Sequence, residues 1–335
     1  MAFKTRLKIS FNFLLWAILL ICSINYNSVI YVFYQAKGQA NILLNLQTFE
    51  EFENKHSGKQ TESLQLISRI KQYSVDSLSF KVTGNFTKIY NQNNQPSLWV
   101  ISASDKFKIE PYYWSFPIVG KVSYKGFFDK KKAVIEKNHL LSEGYDVDMR
   151  SVSAWSTLGW FSDPVLSNML DKSKGSLCNL IFHELFHATY YAPSSVEFNE
   201  NLASFIAHKA TIRFLAEDTL SLNEYLKSYS DNARIDHQLN LEVKGLEMFY
   251  DSISGFSNNR KTILKLKKLN QICSNLERLN VTNKAKISNM KNQILSSKNA
   301  WIVDFEQYNS LQDSLEEVFN KNYNSDLNKM VQSLK

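Results

Sequence analysis

SLCNLIFHELFHATYYA, residues 176–192, contains His183-Glu184-Leu185-Phe186-His187, an H-E-x-x-H pattern. Around it Leu177, Leu180, Ile181, Leu185 and Phe186 recur at helical spacing, so the stretch reads as a buried amphipathic helix with its histidines facing a cleft. Positions four apart lie one turn above each other, so both imidazoles reach one metal ion while Glu184 flanks it. Three cysteines, Cys22, Cys178 and Cys273, with no C-x-x-C pair, exclude a disulfide scaffold and a cysteine-based zinc finger. Any metal must sit on His, Asp or Glu. One zinc ion is the expected metal, because imidazole suits its borderline softness. A catalytic zinc site adds one more protein ligand and leaves the fourth position to water. Glu184 is expected to take a proton from that water and deliver it to the leaving amine.

Twelve residues separate His187 from Glu200. Ala192-Pro193-Ser-Ser reads as a turn, and Phe198-Asn-Glu-Asn-Leu-Ala-Ser-Phe205 as a second helix that can bring Glu200 back as the third ligand. Asn199-Glu200-x-x-Ala203 resembles the third-ligand helix of the glutamate-zincins, with a shorter intervening stretch. His208, two turns past Glu200, reads as a residue behind the ligands or at the surface, since a fourth ligand closes a catalytic site. Cys178 lies off the ligand face.

Apolar residues make up 44% and charged residues 21% of the 335, which excludes disordered and collagenous chains. Only 10 glycines and 5 prolines make a sheet-and-turn architecture a poor expectation. The net charge of +7 owes part of its excess to Lys4, Arg6 and Lys8, and no basic stripe or nucleic-acid motif appears, so no nucleic-acid partner is expected. Those three residues precede an uncharged run, Ile9 to Ala36, that exceeds the roughly 20 residues needed to cross a bilayer. Residues 1–36 therefore read as a signal-anchor that holds the rest at the cell membrane, facing the periplasm or exterior. A cleaved signal peptide and lipidation at Cys22 are the alternatives. Helices are expected from Ala40 to about Tyr73, β-structure around 98–101 and 118–124, and a helix from Lys130 to Glu143 ending at Gly144. A strand is expected within 145–161, and almost continuous helix from Pro164, with one interruption near Asn280. The expected organisation is a catalytic region over residues 37–217 and a helical region over 218–335 packing on it.

Trp114-SFPIVGKVSYKGF-Phe128, Ser153-AWSTLGW-Phe161, Ile181-FHELF-His187 and Phe198-Asn-Glu200 occur in the order found in a bacterial family of predicted zinc aminopeptidases, often lipoproteins, which the chain resembles from about Tyr31 to Ser333. The resemblance implies an α+β zincin-like metallopeptidase unit: a small sheet, zinc-site helices and a mostly helical C-terminal portion. It also implies a peptide or protein substrate. The chain departs from the family at Ile21, where members carry a small residue before the lipid-bearing cysteine.

The resemblance gives two further stretches a meaning. Ser151 to Phe161 is similar to the edge strand of zincin folds, which pairs with an extended peptide; its plain alternative is an ordinary strand with Trp155 and Trp160 in the core. Asn299-Ala-Trp301 and Tyr308 resemble a late family motif, and the Tyr308 phenol is the candidate donor to the oxyanion. Tyr190, Tyr191 and Arg213 compete for that role. Glu197 is a candidate for holding a substrate α-ammonium, against a solvated turn residue. Two other functions stay open: a membrane-anchored zinc endopeptidase, and a non-catalytic envelope protein whose metal is structural.

Overall fold

Burial at Leu64, Ile67, Ile70, Ser74 and Leu78 marks one face of a 20-residue helix, the periodicity expected of an element that covers a core. In a computed structural model describing residues 26–93, 95–116, 120–152, 162–193, 195–309 and 311–335, that helix is the third of twelve among the described residues. In chain order, α1 (Tyr26–Leu44) leads to β1 (Leu46–Thr48), a short α2 (Phe49–Glu53) and α3 (Lys59–Leu78). The middle of the chain holds β2 (Lys88–Tyr90), β3 (Trp99–Ser104), β4 (Trp114–Phe116), β5 (Gly120–Val122) and β6 (Tyr124–Phe127). Then come α4 (Lys130–Ser142), β7 (Asp146–Ser151) and β8 (Val165–Leu166). Past a 3-10 turn the remainder is helical: α5 (Lys174–His187), α6 (Val196–Phe214), α7 (Thr219–Ser252), α8 (Asn258–Glu277), α9 (Lys284–Ser297), α10 (Asn299–Asn309), α11 (Gln312–Tyr323) and α12 (Leu327–Ser333).

The architecture is α+β, mostly helix with small sheets. In one sheet β2 runs antiparallel to β1 and parallel to β8; in a second, β3 lies between antiparallel β6 and β7; β4 and β5 form a separate antiparallel pair. The second sheet has two chemically distinct faces, because successive side chains alternate across a strand. Ile101 and Ala103 share one face with Phe127 and Val147, and this apolar side packs on Ala133 and Leu140 of α4 and on Tyr31 of α1. Ser102 pairs with Tyr124 and Asp148, Val100 with Arg150, and Ser104 with Asp146, so the other face is polar. Helices α8 to α10 meet it: Lys265 pairs with Asp146, Ser297 donates to Asp148, and Ser102 donates to Asp304.

The main core joins α3, α5 and α6 to the first sheet and, from the far end of the chain, to Leu315, Phe319, Leu327, Met330 and Val331 of α11 and α12. A second core lies within α7 to α10. The C-terminal region thus contributes to the core beneath the H-E-x-x-H helix. Its helices break at more places than the single one expected near Asn280. Lys298 and Asn324 adopt φ of 51° and 51°, a left-handed turn with no glycine to announce it.

Residues 26–36, expected to finish the anchor, are the first turns of α1, where Tyr31 and Gln35 donate to the Gly126 carbonyl. The rest of that anchor lies outside the described residues; among the described residues no helix is long and apolar enough to cross a membrane. Most of the expected edge strand, residues 153–161, also lies outside them.

Candidate active site

Leu177, Cys178, Ile181, Phe182, Leu185 and Phe186 are buried along one side of α5, and the fully sequestered Phe182 and Phe186 each contribute roughly 1.5–3 kcal/mol by leaving water. Ser173 caps the helix by accepting from the Ser176 N–H. With that face committed to the core, His183 and His187 stand one turn apart on a partly buried flank, and their Nε2 atoms are 3.1 Å apart. The chain then turns at Ala192-Pro193 into α6.

Two asparagines hold the return. The Asn199 side chain accepts from the Ala192 N–H at 2.8 Å and donates to the Ala192 carbonyl at 2.8 Å, closing the turn. Asn201 accepts from the Leu311 N–H at 3.0 Å, fixing α6 to the junction of α10 and α11. Glu200 lies between them. Its Oε2 comes 3.2 Å from His183 Nε2 and 3.6 Å from His187 Nε2.

The three side chains form the His/Cys/Asp/Glu group able to hold a metal ion among the described residues. Ligands at zinc-like distances of about 2.0–2.1 Å on a tetrahedral ion lie roughly 3.3 Å from one another. Separations of 3.1, 3.2 and 3.6 Å match that triangle. The donor chemistry fits too: two imidazole nitrogens and a carboxylate oxygen converge, all three able to give a lone pair to a cation. Ser204 Oγ lies 3.4 Å from His183 Nδ1, where it can receive that N–H and leave Nε2 free for the ion.

Electrostatics separate the two glutamates. Burial favours the neutral acid at Glu200, but hydrogen bonds from His183 and His187 outweigh it and hold the carboxyl at about 2. Burial raises Glu184 above the ordinary carboxylate range; the two histidines pull it back, while Glu200 and Asp163 add to the rise. Burial opposes the charged form of His183, and the neighbouring Glu200 and Glu184 more than restore it. Glu200 is thus a permanent anion, and Glu184 a carboxylate with enhanced proton affinity.

The competing donors separate by location. Tyr190 packs its ring against Phe186 and Phe198, and Arg213 donates to Asn328 of α12 at 3.0 Å. Tyr308 lies in α10 with its side chain outside the described residues. Tyr124, at the start of β6 on the polar face of the second sheet, is 41% exposed, and desolvation together with the charges of Glu200, Tyr191 and Glu184 pushes its phenol up to about 12. A second carboxylate group lies one turn before Glu200, where burial and the charges of Glu247 and Glu197 push Glu306 of α10 up to about 7. His208 is not at the surface. It is buried, stacked on Tyr229 at 3.5 Å and bonded to the Tyr225 hydroxyl at 2.9 Å, and burial lowers it to about 4. Cys178 and Cys273 are both free and buried.

No curated protein and no solved structure matches the chain. The sequence pattern of one protein family, described as "Putative aminopeptidase", matches residues 30–335.

Proposed function

The chain belongs to that aminopeptidase family, and from this membership we propose that it is a zinc-dependent aminopeptidase built on a zincin-like unit. His183, His187 and Glu200 would hold the single ion, and Glu184 would move the proton. The observation that carries the reading is the ligand triangle, with sides of 3.1, 3.2 and 3.6 Å, next to a half-buried carboxylate on the same helix. A structural site has no use for a base beside the metal, so Glu184 disfavours the non-catalytic alternative.

When bound, the ion supplies a Lewis acid that acidifies water and polarises the scissile carbonyl. Glu184 accepts the proton from the attacking water at a carboxylate oxygen. Glu184 would hold that proton until the amine nitrogen leaves, and then deliver it there. Ser204 and the two asparagines beside Glu200 act earlier, by fixing ring and helix orientations before substrate arrives.

The carboxylates Glu197, Glu247 and Glu306 favour an exopeptidase over an endopeptidase. Glu197 lies one turn before Glu200 on α6, where it would receive a substrate α-ammonium, and its charge and that of Glu247 reach Glu306. The uncharged N-terminal run supports export and attachment at the cell membrane.

The test compares hydrolysis of peptides with free and acetylated N-termini. A charge-assisted contact to the α-ammonium is worth about 1.5–3 kcal/mol, so kcat/KM is expected to fall roughly 10–100-fold on acetylation. Equal rates, with cleavage at internal bonds, would establish the endopeptidase instead.

A further inference from the structure

Helix α1 has two apolar faces, and the packing uses one of them. On the inner face Tyr31 and Gln35 donate to the Gly126 carbonyl, Ile42 is buried, and Gly38 meets the Phe128 ring so closely that a Cβ there would strike it. The outer face carries Val29, Val32, Phe33, Ala36, Ala40 and Leu44, all exposed and recurring at helical spacing, with Phe33 66% and Leu44 84% exposed. Lys37, on the same face, is the one charged residue of the helix. Beside this stripe α4 begins with Lys130, Lys131 and Lys132. Lys132 Nζ lies 3.6 Å over the Tyr34 ring, which meets Phe33 edge to face, so the basic turn of α4 and the apolar stripe of α1 form one surface. Ile135, 68% exposed, stands one turn on, in a groove shared with Lys132, Tyr34 and Lys37. The nearby acids are engaged: Asp129 accepts from the Lys131 N–H as the helix cap, and Glu136 pairs with Lys125 at 3.0 Å.

Resting on the reading that the chain is exported and attached at the cell membrane, we propose that α1 lies flat in the headgroup region of an anionic bilayer. Its outer face meets the acyl chains, and Lys37 with Lys130, Lys131 and Lys132 meets the phosphates. An apolar face bordered by cations is the pattern of interfacial helices, in which lysines add attraction to anionic lipid. The sequence argues for lipid as the occupant: the uncharged run that starts at Ile9 continues through Ala36 into this stripe, so the chain delivers α1 to the bilayer surface. A second copy fits the face less well. A two-fold pair built on it would bring the lysines of both copies into one interface, while the nearby carboxylates are already engaged. Nor does α1 suit a span. A helix surrounded by lipid is apolar all round, whereas Tyr31 and Gln35 commit one side of α1 to the second sheet.

The experiment reconstitutes the full chain, at high lipid excess, into vesicles of equimolar phosphatidylcholine and phosphatidylglycerol. A genetically encoded fluorescent side chain replaces Phe33, Leu44 or Ile263 in turn. Ile263 is the control, because it is also exposed but lies on α8, across the second sheet from α1. Depth is read from quenching by lipids brominated at two heights along the acyl chain, and water exposure from quenching by iodide. The labels at 33 and 44 should lie at equal depth, about 5–10 Å into the headgroup and acyl boundary, with the label at 263 in water. An upright helix would separate 33 from 44 by about 16 Å, at about 1.5 Å per residue. That separation overturns the proposal, as does free access of iodide to both labels. Shielding from iodide without quenching by brominated lipid also overturns it, because a protein such as a second copy then covers the face. Lys37→Glu combined with Lys130→Glu and Lys131→Glu should return both labels to water while the chain stays on the vesicles; unchanged depth overturns the proposed contact with the phosphates. A full chain that binds no vesicle overturns the attachment reading and this inference together. A bound chain whose labels at 33 and 44 are as open to iodide as that at 263 overturns this inference alone.

Discussion

Glu184→Gln is expected to lower kcat for peptide hydrolysis by about 10²–10⁴-fold while leaving KM and zinc content at wild-type values. The amide keeps the shape of the carboxylate and cannot take a proton from water, so the variant removes the proposed base and little else. Glu184 touches none of the three ligand atoms' roles: His183, His187 and Glu200 complete the triangle without it. Stability should not suffer. Burial raises the folded carboxyl above its ordinary range, so in the folded chain the ionised form is the disfavoured one. Stability linked to this group is fully present at low pH and declines as pH rises through the folded pKa. A neutral glutamine escapes that decline, so with the metal removed its melting midpoint at neutral pH should equal or exceed that of wild type. Single-turnover assays with thermal melts check both parts; a variant retaining a tenth or more of wild-type kcat would remove Glu184 from the chemistry.

Lys265→Ala carries the largest expected effect on stability. Lys265 and Asp146 are each 2% exposed at the side chain and pair directly, joining α8 to the start of β7. Lys265 also donates to the Lys106 carbonyl at 2.6 Å, and Asp146 accepts from the Asn299 N–H at 3.1 Å. Burial lowers Lys265 to about 8, against the pull of Asp146, which measures how far the pair has been taken from water. Removing the lysine leaves a buried carboxylate with its cation gone, at a cost of about 3–5 kcal/mol. Replacing both partners by apolar residues, Lys265→Met with Asp146→Leu, should restore most of that loss, because neither charge then remains to be desolvated. Urea unfolding of the two variants decides. A loss below about 1 kcal/mol for Lys265→Ala would mean that solvent reaches the pair.

The pair also shows where reading the sequence alone stops. H-E-x-x-H is legible because its two histidines and their apolar flanks are local, and one helical period relates them. Glu200 is legible by extension, since only a turn separates its helix from the first. Residues whose meaning depends on pairing across long separations are not. Tyr124 reads as a strand aromatic until the register sets it opposite Ser102 and beside Arg150. Lys265 sits in a lysine-rich helix whose other lysines are exposed or half-buried, and only the fold brings Asp146 to it across 119 residues. His208 looks like a neighbour of the ligands by spacing, but the rings of α7 claim it. Asn201 resembles its neighbour Asn199 in sequence, yet its partner comes from 110 residues away. The extra breaks at Lys298 and Asn324 lack the glycine or proline that marks a helix end.

The measurement that bears most directly on the proposed zinc chemistry is elemental analysis of the purified full chain beside its His187→Ala variant. Convergence of His183, His187 and Glu200 on one point requires about one zinc per wild-type chain, and loss of most of it when an imidazole is removed. A wild-type chain that retains no zinc after purification in its presence, or a His187→Ala variant that holds as much as wild type, would contradict it.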